Sequence, residues 1–256
     1  MILEKFDLSN KVAVVTGAGR GLGKEMAMAL ADVGADIVLA ARSVKEIEKV
    51  AEEIRGLGRK ALAVPTDVSK LDEVEKMATA TLDEFGKVDI LVNNAGTLIE
   101  RNFLDYTEDE WENIFSTNMT SMFYCTRALG RHMVEQKSGK IINMCSVNAV
   151  KPRPKCVLYD STKGGILTFT KALAREWAKY NINVNAIAPG YFLTPLVKSL
   201  MERDGIEEET IARNFVPLRR LARPEEIGPL VVFLASSASD FMTGTVVFIE
   251  GGDLLR

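Results

Sequence analysis

Tyr159 and Lys163 stand four residues apart in Tyr159-Asp160-Ser161-Thr162-Lys163, and Ser146 lies thirteen residues before the tyrosine. A phenol is a poor acid or base at neutral pH, with an unperturbed pKa of about 10. A lysine four positions later on a helix shares its face. At ~4 Å and an effective dielectric of ~20, its charge would favour the phenolate by roughly 4 kcal/mol, or about 3 pKa units. That shift brings the phenol toward the working pH, where proton transfer is efficient. A serine hydroxyl can hold the reacting oxygen beside it. By itself a tyrosine–lysine pair at this spacing is ordinary helix-surface packing. With a nucleotide site nearby, it suits hydride exchange between a dinucleotide and an alcohol or ketone.

Such a site is legible near the N-terminus. Thr16-Gly17-Ala18-Gly19-Arg20-Gly21-Leu22-Gly23 follows a strand pattern and opens a helical one. Glycine permits positive φ and close approach of backbone to pyrophosphate. The helix start supplies free N–H groups and a favourable dipole for an anion. The spacing is T-G-x-x-x-G-x-G. It is not a P-loop, because Ala18 and Glu25 occupy positions that motif reserves for Gly and Ser/Thr. Roughly 20 residues on, an acidic residue would grip the ribose 2′-OH of NAD. Here the chain reads Ala40-Ala41-Arg42-Ser43. A guanidinium pairs with a 2′-phosphate in a fork, and Arg20 is placed to reach the same group. The expected cofactor is therefore NADP(H), with NAD as the alternative.

These groups need a scaffold. Strand patterns fall at Val12–Thr16, Asp36–Ala40, Ala61–Pro65, Ile90–Asn93, Lys140–Met144, Asn183–Ile187 and Val246–Ile249. Helical patterns lie between them near Gly21–Val33, Val44–Leu57, Leu71–Phe85, Glu108–Glu135, Leu158–Lys179 and Pro224–Ser236. Uniformly apolar strands alternating with helices predict an α/β, doubly wound (Rossmann) fold with a seven-stranded parallel sheet. At 256 residues the chain is expected to form a single domain spanning 1–256. The segment 191–223 breaks the rhythm with Pro195, Gly205 and Pro217, and is expected to be a substrate loop.

Composition narrows the class further. A net charge of −3 gives no reason to expect a nucleic-acid partner, and no apolar run is long enough for a membrane span. With no signal-peptide pattern, the expected location is cytoplasmic. One histidine, His132, excludes a Ser-His-Asp site or a multi-histidine metal site, since it falls near a helix end. Cys125, Cys145 and Cys156 lack metal-type spacing and are expected to be packed, reduced thiols.

The ordered set of glycine turn, Asn93-Asn94-Ala95-Gly96, Asn118, Ser146, Tyr159, Lys163 and Pro189-Gly190 resembles the short-chain dehydrogenase/reductase family over essentially the whole chain. The resemblance implies a catalytic tetrad. In it Tyr159 moves the proton, Ser146 orients the substrate oxygen, Lys163 tunes the tyrosine and binds nicotinamide ribose, and Asn118 holds a relay water. It also implies cofactor contacts from Gly17, Gly21, Leu22, Gly23, Asp67, Val68, Asn94, Ala95, Gly96, Pro189, Gly190 and Thr194. The family's tetramers imply a homotetramer.

Within that family, Arg131–Glu135 with Gly139–Asn143, then Asn185–Phe192 and Phe233–Phe241, resemble gluconate 5-dehydrogenases and related sugar-acid oxidoreductases. Independently, the loop between Ser146 and Tyr159 carries Lys151, Arg153 and Lys155, with Pro152 and Pro154 between them. Three positive charges beside the reacting groups suit an anionic substrate, a sugar acid such as gluconate or 5-ketogluconate, or a carrier-bound acyl chain. The alternative readings are a 3-oxoacyl-acyl-carrier-protein reductase and a non-catalytic NADP-binding sensor.

Overall fold

Each predicted strand is a short, mostly β-branched or small apolar run, suited to a sheet covered on both faces. In the computed structural model, which describes residues 1–255, the strands are β1 (Val12–Thr16), β2 (Asp36–Ala41), β3 (Ala61–Pro65), β4 (Ile90–Asn93), β5 (Gly139–Met144), β6 (Ile182–Pro189) and β7 (Val246–Ile249). They form one seven-stranded sheet in the order β3-β2-β1-β4-β5-β6-β7, with every pairing parallel. The helices are α1 (Gly21–Asp32), α2 (Val44–Gly56), α3 (Leu71–Phe85), α4 (Glu108–Phe115), α5 (Ser121–Gln136), α6 (Val157–Trp177), α7 (Pro195–Asp204), α8 (Glu208–Phe215) and α9 (Gly228–Ala235).

Alternation along β1 shows how the layers form. Ala13 and Val15 join a core with Met26 of α1, Ile47 of α2 and Val231 of α9. Val12 and Val14 join the opposite core with Val74 of α3, Leu129 of α5 and Ala174 of α6. Successive side chains point to opposite faces, so both faces of a central strand must be apolar. Chain order reverses between β1 and β4, and ligands of such sheets bind where the strand ends part at this switch point. Among the described residues no helix is long and apolar enough to cross a membrane.

Two stretches differ from the sequence expectation. The predicted helix Glu108–Glu135 is α4 and α5 joined through a single π turn, Ser116–Thr120. Its start is as expected, with Thr107 and Glu110 forming a capping box. The segment 191–223 holds two helices, α7 and α8. Thr194 caps α7, Pro195 occupies its first turn, and Gly205 ends it at φ +63°. The residues that read as breakers are a start and a stop signal. The ends of this excursion meet: Leu193 N–H donates to the Ala222 carbonyl at 2.8 Å, and Ala222 N–H to the Tyr191 carbonyl at 2.9 Å. Ile211, Ala212 and Leu221 give it a small core of its own, packed against Tyr191 and Val197.

Candidate active site

The glycine turn and Asn94-Ala95-Gly96 leave adjacent strand ends and interlock. Thr16 Oγ1 accepts from Asn94 N at 2.9 Å and Ala95 N at 3.0 Å, and Asn94 Nδ2 donates to the Thr16 carbonyl at 2.8 Å. Gly17 has φ +65°, and a Cβ at Gly23 would lie 2.2 Å from the Gly17 carbonyl oxygen. No side chain caps the start of α1 and no acidic residue stands in its first turn. Gly21, Leu22 and Gly23 thus present an uncapped helix N-terminus, the arrangement that receives a phosphate. The residues present fit a dinucleotide.

The remaining cofactor candidates lie around this turn. Thr194, the cap of α7, has its Cβ 3.8 Å from the position of a Cβ on Gly21. Gly190 directly follows β6, and its N–H donates to the Ile249 carbonyl at 3.0 Å. Val68 is buried, and Asp67 accepts from Ser69 N at 3.1 Å and Ser69 Oγ at 2.7 Å. Burial pushes the Asp67 carboxyl up, but the Ser69 hydrogen bonds, with help from Arg42, hold it below the usual range. Arg42 is therefore within electrostatic reach of Asp67. Arg20 is exposed and its guanidinium lies 3.7 Å from Glu46, so that charge is partly shared.

The four predicted catalytic side chains converge at the ends of β4 and β5. Ser146 follows β5 and is buried; its Oγ accepts from Asn148 N at 3.1 Å, and its hydroxyl acts to lower the pKa of the Tyr159 phenol. Lys163, buried one turn along α6, lies with Nζ 5.4 Å from the Tyr159 ring centroid and donates to the Met144 carbonyl at 2.7 Å. Asn118 sits in the π turn, an irregularity that often marks functional sites. Its Oδ1 accepts from Thr97 N at 2.8 Å, and its Nδ2 donates to the Thr97 carbonyl at 3.0 Å and to Thr162 Oγ1 at 3.1 Å. A Cβ on Gly96 would stand 3.4 Å from Asn118 Oδ1 and 3.8 Å from Lys163 Nζ, so the N-N-A-G stretch adjoins the tetrad.

The electrostatics differ from the expectation built on spacing. Burial pushes the Tyr159 phenol up to about 12, and only the Ser146 hydroxyl and the Arg153 charge pull it back. Burial also pushes Lys163 down to about 8. Desolvation penalises both charged forms, and at this separation it outweighs the attraction between them.

The predicted basic loop is largely neutralised within the fold. Lys151 Nζ donates to the buried Asp253, to its carbonyl at 2.6 Å and its carboxylate at 2.8 Å. Arg153 Nη1 donates to the Tyr191 hydroxyl at 3.2 Å, and its guanidinium stacks over that ring. Lys155 is exposed beside a cavity of about 630 Å³, which Glu100, Arg101, Pro154, Arg203 and Asp204 also line. The three cysteines are buried and free, and burial pushes Cys125 up to about 12 and Cys156 up to about 11.

Sequence reasoning missed a supporting strut. Asp160 is buried and accepts from Asn148 Nδ2 at 2.6 Å and from Arg153 N at 2.8 Å. This carboxylate fastens the Ser146–Tyr159 loop to the start of α6. An acidic residue in the first helical turn was the available signal, but its partners lie beyond any local pattern.

A Rossmann sheet with this tetrad at its switch point defines a nucleotide-dependent oxidoreductase of hydroxyl and carbonyl groups. Residues 11–205 match the short chain dehydrogenase family. The chain is 38% identical to 2-dehydro-3-deoxy-D-gluconate 5-dehydrogenase of Escherichia coli K12 over 257 residues, covering 100% of both chains. It is also 38% identical to a 3-oxoacyl-[acyl-carrier-protein] reductase of Synechocystis over 247 residues, covering 96% of this chain and 97% of that one. The structure of a gluconate 5-dehydrogenase from Burkholderia cenocepacia in complex with NADP and tartrate superposes with TM-score 0.94 at 34% identity, covering 100% of both chains. The chain belongs to the short-chain dehydrogenase/reductase family, and it is an oxidoreductase acting on CH–OH groups.

Proposed function

We propose that the protein is an NADP(H)-dependent oxidoreductase that interconverts a secondary hydroxyl and a ketone on a sugar acid, such as gluconate and 5-ketogluconate. The observation that carries this reading is Tyr159 with Lys163 Nζ 5.4 Å from its ring centroid and Ser146 buried beside it just after β5, set against the uncapped start of α1. Tyr159 gives or takes the proton of the substrate oxygen, and Ser146 orients that oxygen. Lys163 holds its charge near the phenol and toward the cofactor ribose, and Asn118 positions a relay water. Bound nicotinamide supplies the hydride site, and its oxidised form adds positive charge beside the phenol. That charge acts against the desolvation that holds Tyr159 protonated.

NADP preference rests on Arg42, which stands where NAD-specific chains carry an acid. Arg42→Asp is expected to reverse the NADP/NAD ratio of kcat/KM. The sugar-acid class rests on the relatives' names and on the exposed Lys155 beside the 630 Å³ cavity. The equal identity to the Synechocystis reductase favours 3-oxoacyl-acyl-carrier-protein reduction as a second reading. Both are tested by following nicotinamide absorbance over sugar acids, keto acids and β-ketoesters. Turnover of the sugar acids, with Tyr159→Phe losing it by roughly 10²–10⁴-fold while still binding NADPH, supports the first reading. NADPH binding without turnover of any substrate would leave a non-catalytic sensor.

A further inference from the structure

Three separate segments of the chain meet at a single carboxylate. Glu100 lies on the loop after β4, Arg153 on the loop after β5, and Arg203 near the end of α7 in the excursion after β6. Glu100 Oε1 is 3.8 Å from Arg153 Nη2, while Oε2 is hydrogen-bonded to Arg203 Nη2. Each carboxylate oxygen therefore faces a different guanidinium. Glu100 and Arg203 also line the large cavity. Arg153 connects this cluster to the reacting groups: its backbone N–H is held by Asp160, the residue next to Tyr159.

A purely structural ion pair would be expected to use its donors fully. Arg153 does not. Its contact to Glu100 is longer than a hydrogen bond, and its buried Nε has no partner. A buried donor without an acceptor is costly and asks for a reason. The two guanidiniums are balanced by Glu100 and by Asp204, which accepts from Arg203 Nε and Nη2 at 2.7 Å each, so exchanging Glu100 for another carboxylate keeps the cluster neutral. A guanidinium is suited to holding carboxylates in a planar fork.

The geometry points to Glu100 as a specificity-determining residue, whose carboxylate competes with that of an acidic substrate for the Arg153–Arg203 pair. The proposal rests on the sugar-acid reading above and locates its anion subsite. Binding of an acid is then an exchange of one carboxylate for another. A neutral polyol has nothing to exchange. Glu100 thus weakens acids selectively, and removing its charge should favour them.

The test compares wild type with Glu100→Gln, using D-gluconate and its neutral counterpart D-glucitol. Affinity is measured by saturation-transfer NMR, without reference to turnover. The expected result is roughly tenfold tighter D-gluconate binding by the variant, with D-glucitol changed less than twofold. Adding Arg153→Gln or Arg203→Gln to Glu100→Gln should remove the gain. Unchanged or weaker D-gluconate binding, or an equal gain for D-glucitol, overturns the proposal. If the variant binds D-gluconate more tightly but wild type turns over no sugar acid, the anion subsite stands and the substrate reading falls. If wild type oxidises D-gluconate but the variant's kcat/KM ratio of acid to polyol is unaltered, the subsite alone falls.

Discussion

Tyr159 holds its proton more tightly than the helix spacing implies, because burial acts on the phenolate more strongly than the nearby ammonium does. The sign has a measurable consequence. Below pH 10 the phenol is protonated in both folded and unfolded chains, so it contributes no pH dependence. Between 10 and about 12 the fold retains a proton that the unfolded chain has lost, so this group makes stability fall as pH rises. In nucleotide-free protein, subtracting the tyrosinate absorbance of Tyr159→Phe from that of wild type should leave a signal that develops only above pH 11. A difference signal already complete by pH 10 would refute this. The grouping of the proposed catalytic side chains was legible because three of them sit in one local stretch and the glycine turn in another. Glu100, Asn148 and Asp160 were not, because their roles depend on partners joined only by the fold.

At the scale of elements, the site depends on how α5 and α6 cross. Asn118 lies just before α5, while Tyr159 and Lys163 are on α6. A Cβ on Gly130 of α5 would fall 2.4 Å from the Trp177 ring of α6, so the missing side chain permits the approach. Buried polar groups fix the same helices to the sheet: Asn93 Nδ2 reaches Thr126 of α5 at 3.1 Å, and Asn143 Nδ2 reaches Thr170 of α6 at 3.0 Å. Gly130→Ala should therefore destabilise. Overpacking costs about 1–3 kcal/mol, against about 1 kcal/mol gained in helix propensity. The expected fall in Tm is several degrees, read by calorimetry, with kcat lowered as the helices separate; a rise in Tm would contradict the packing. The long helices were legible from their periodicity. The π turn was not, since one extra residue scarcely alters an amphipathic pattern, and α7 and α8 are too short to display one.

At the scale of the whole molecule, apolar groups remain exposed beside the two helices that carry the site. Trp111 of α4, Phe123 of α5 and Val157 of α6 are each more than two-fifths exposed. Burying them between copies matches the homotetramer expected of the family, and light scattering after size exclusion should return four times the chain mass. A monomer that stays active at assay dilution would reject that assembly. The parallel sheet and its switch point were legible because strand and helix patterns alternate so regularly. The excursion between Tyr191 and Ala222 leaves and rejoins the body at one paired neck. Evolution or a protein engineer could therefore replace its residues beyond Thr194 as a cassette and retarget the enzyme, while keeping the cofactor contact expected of that threonine.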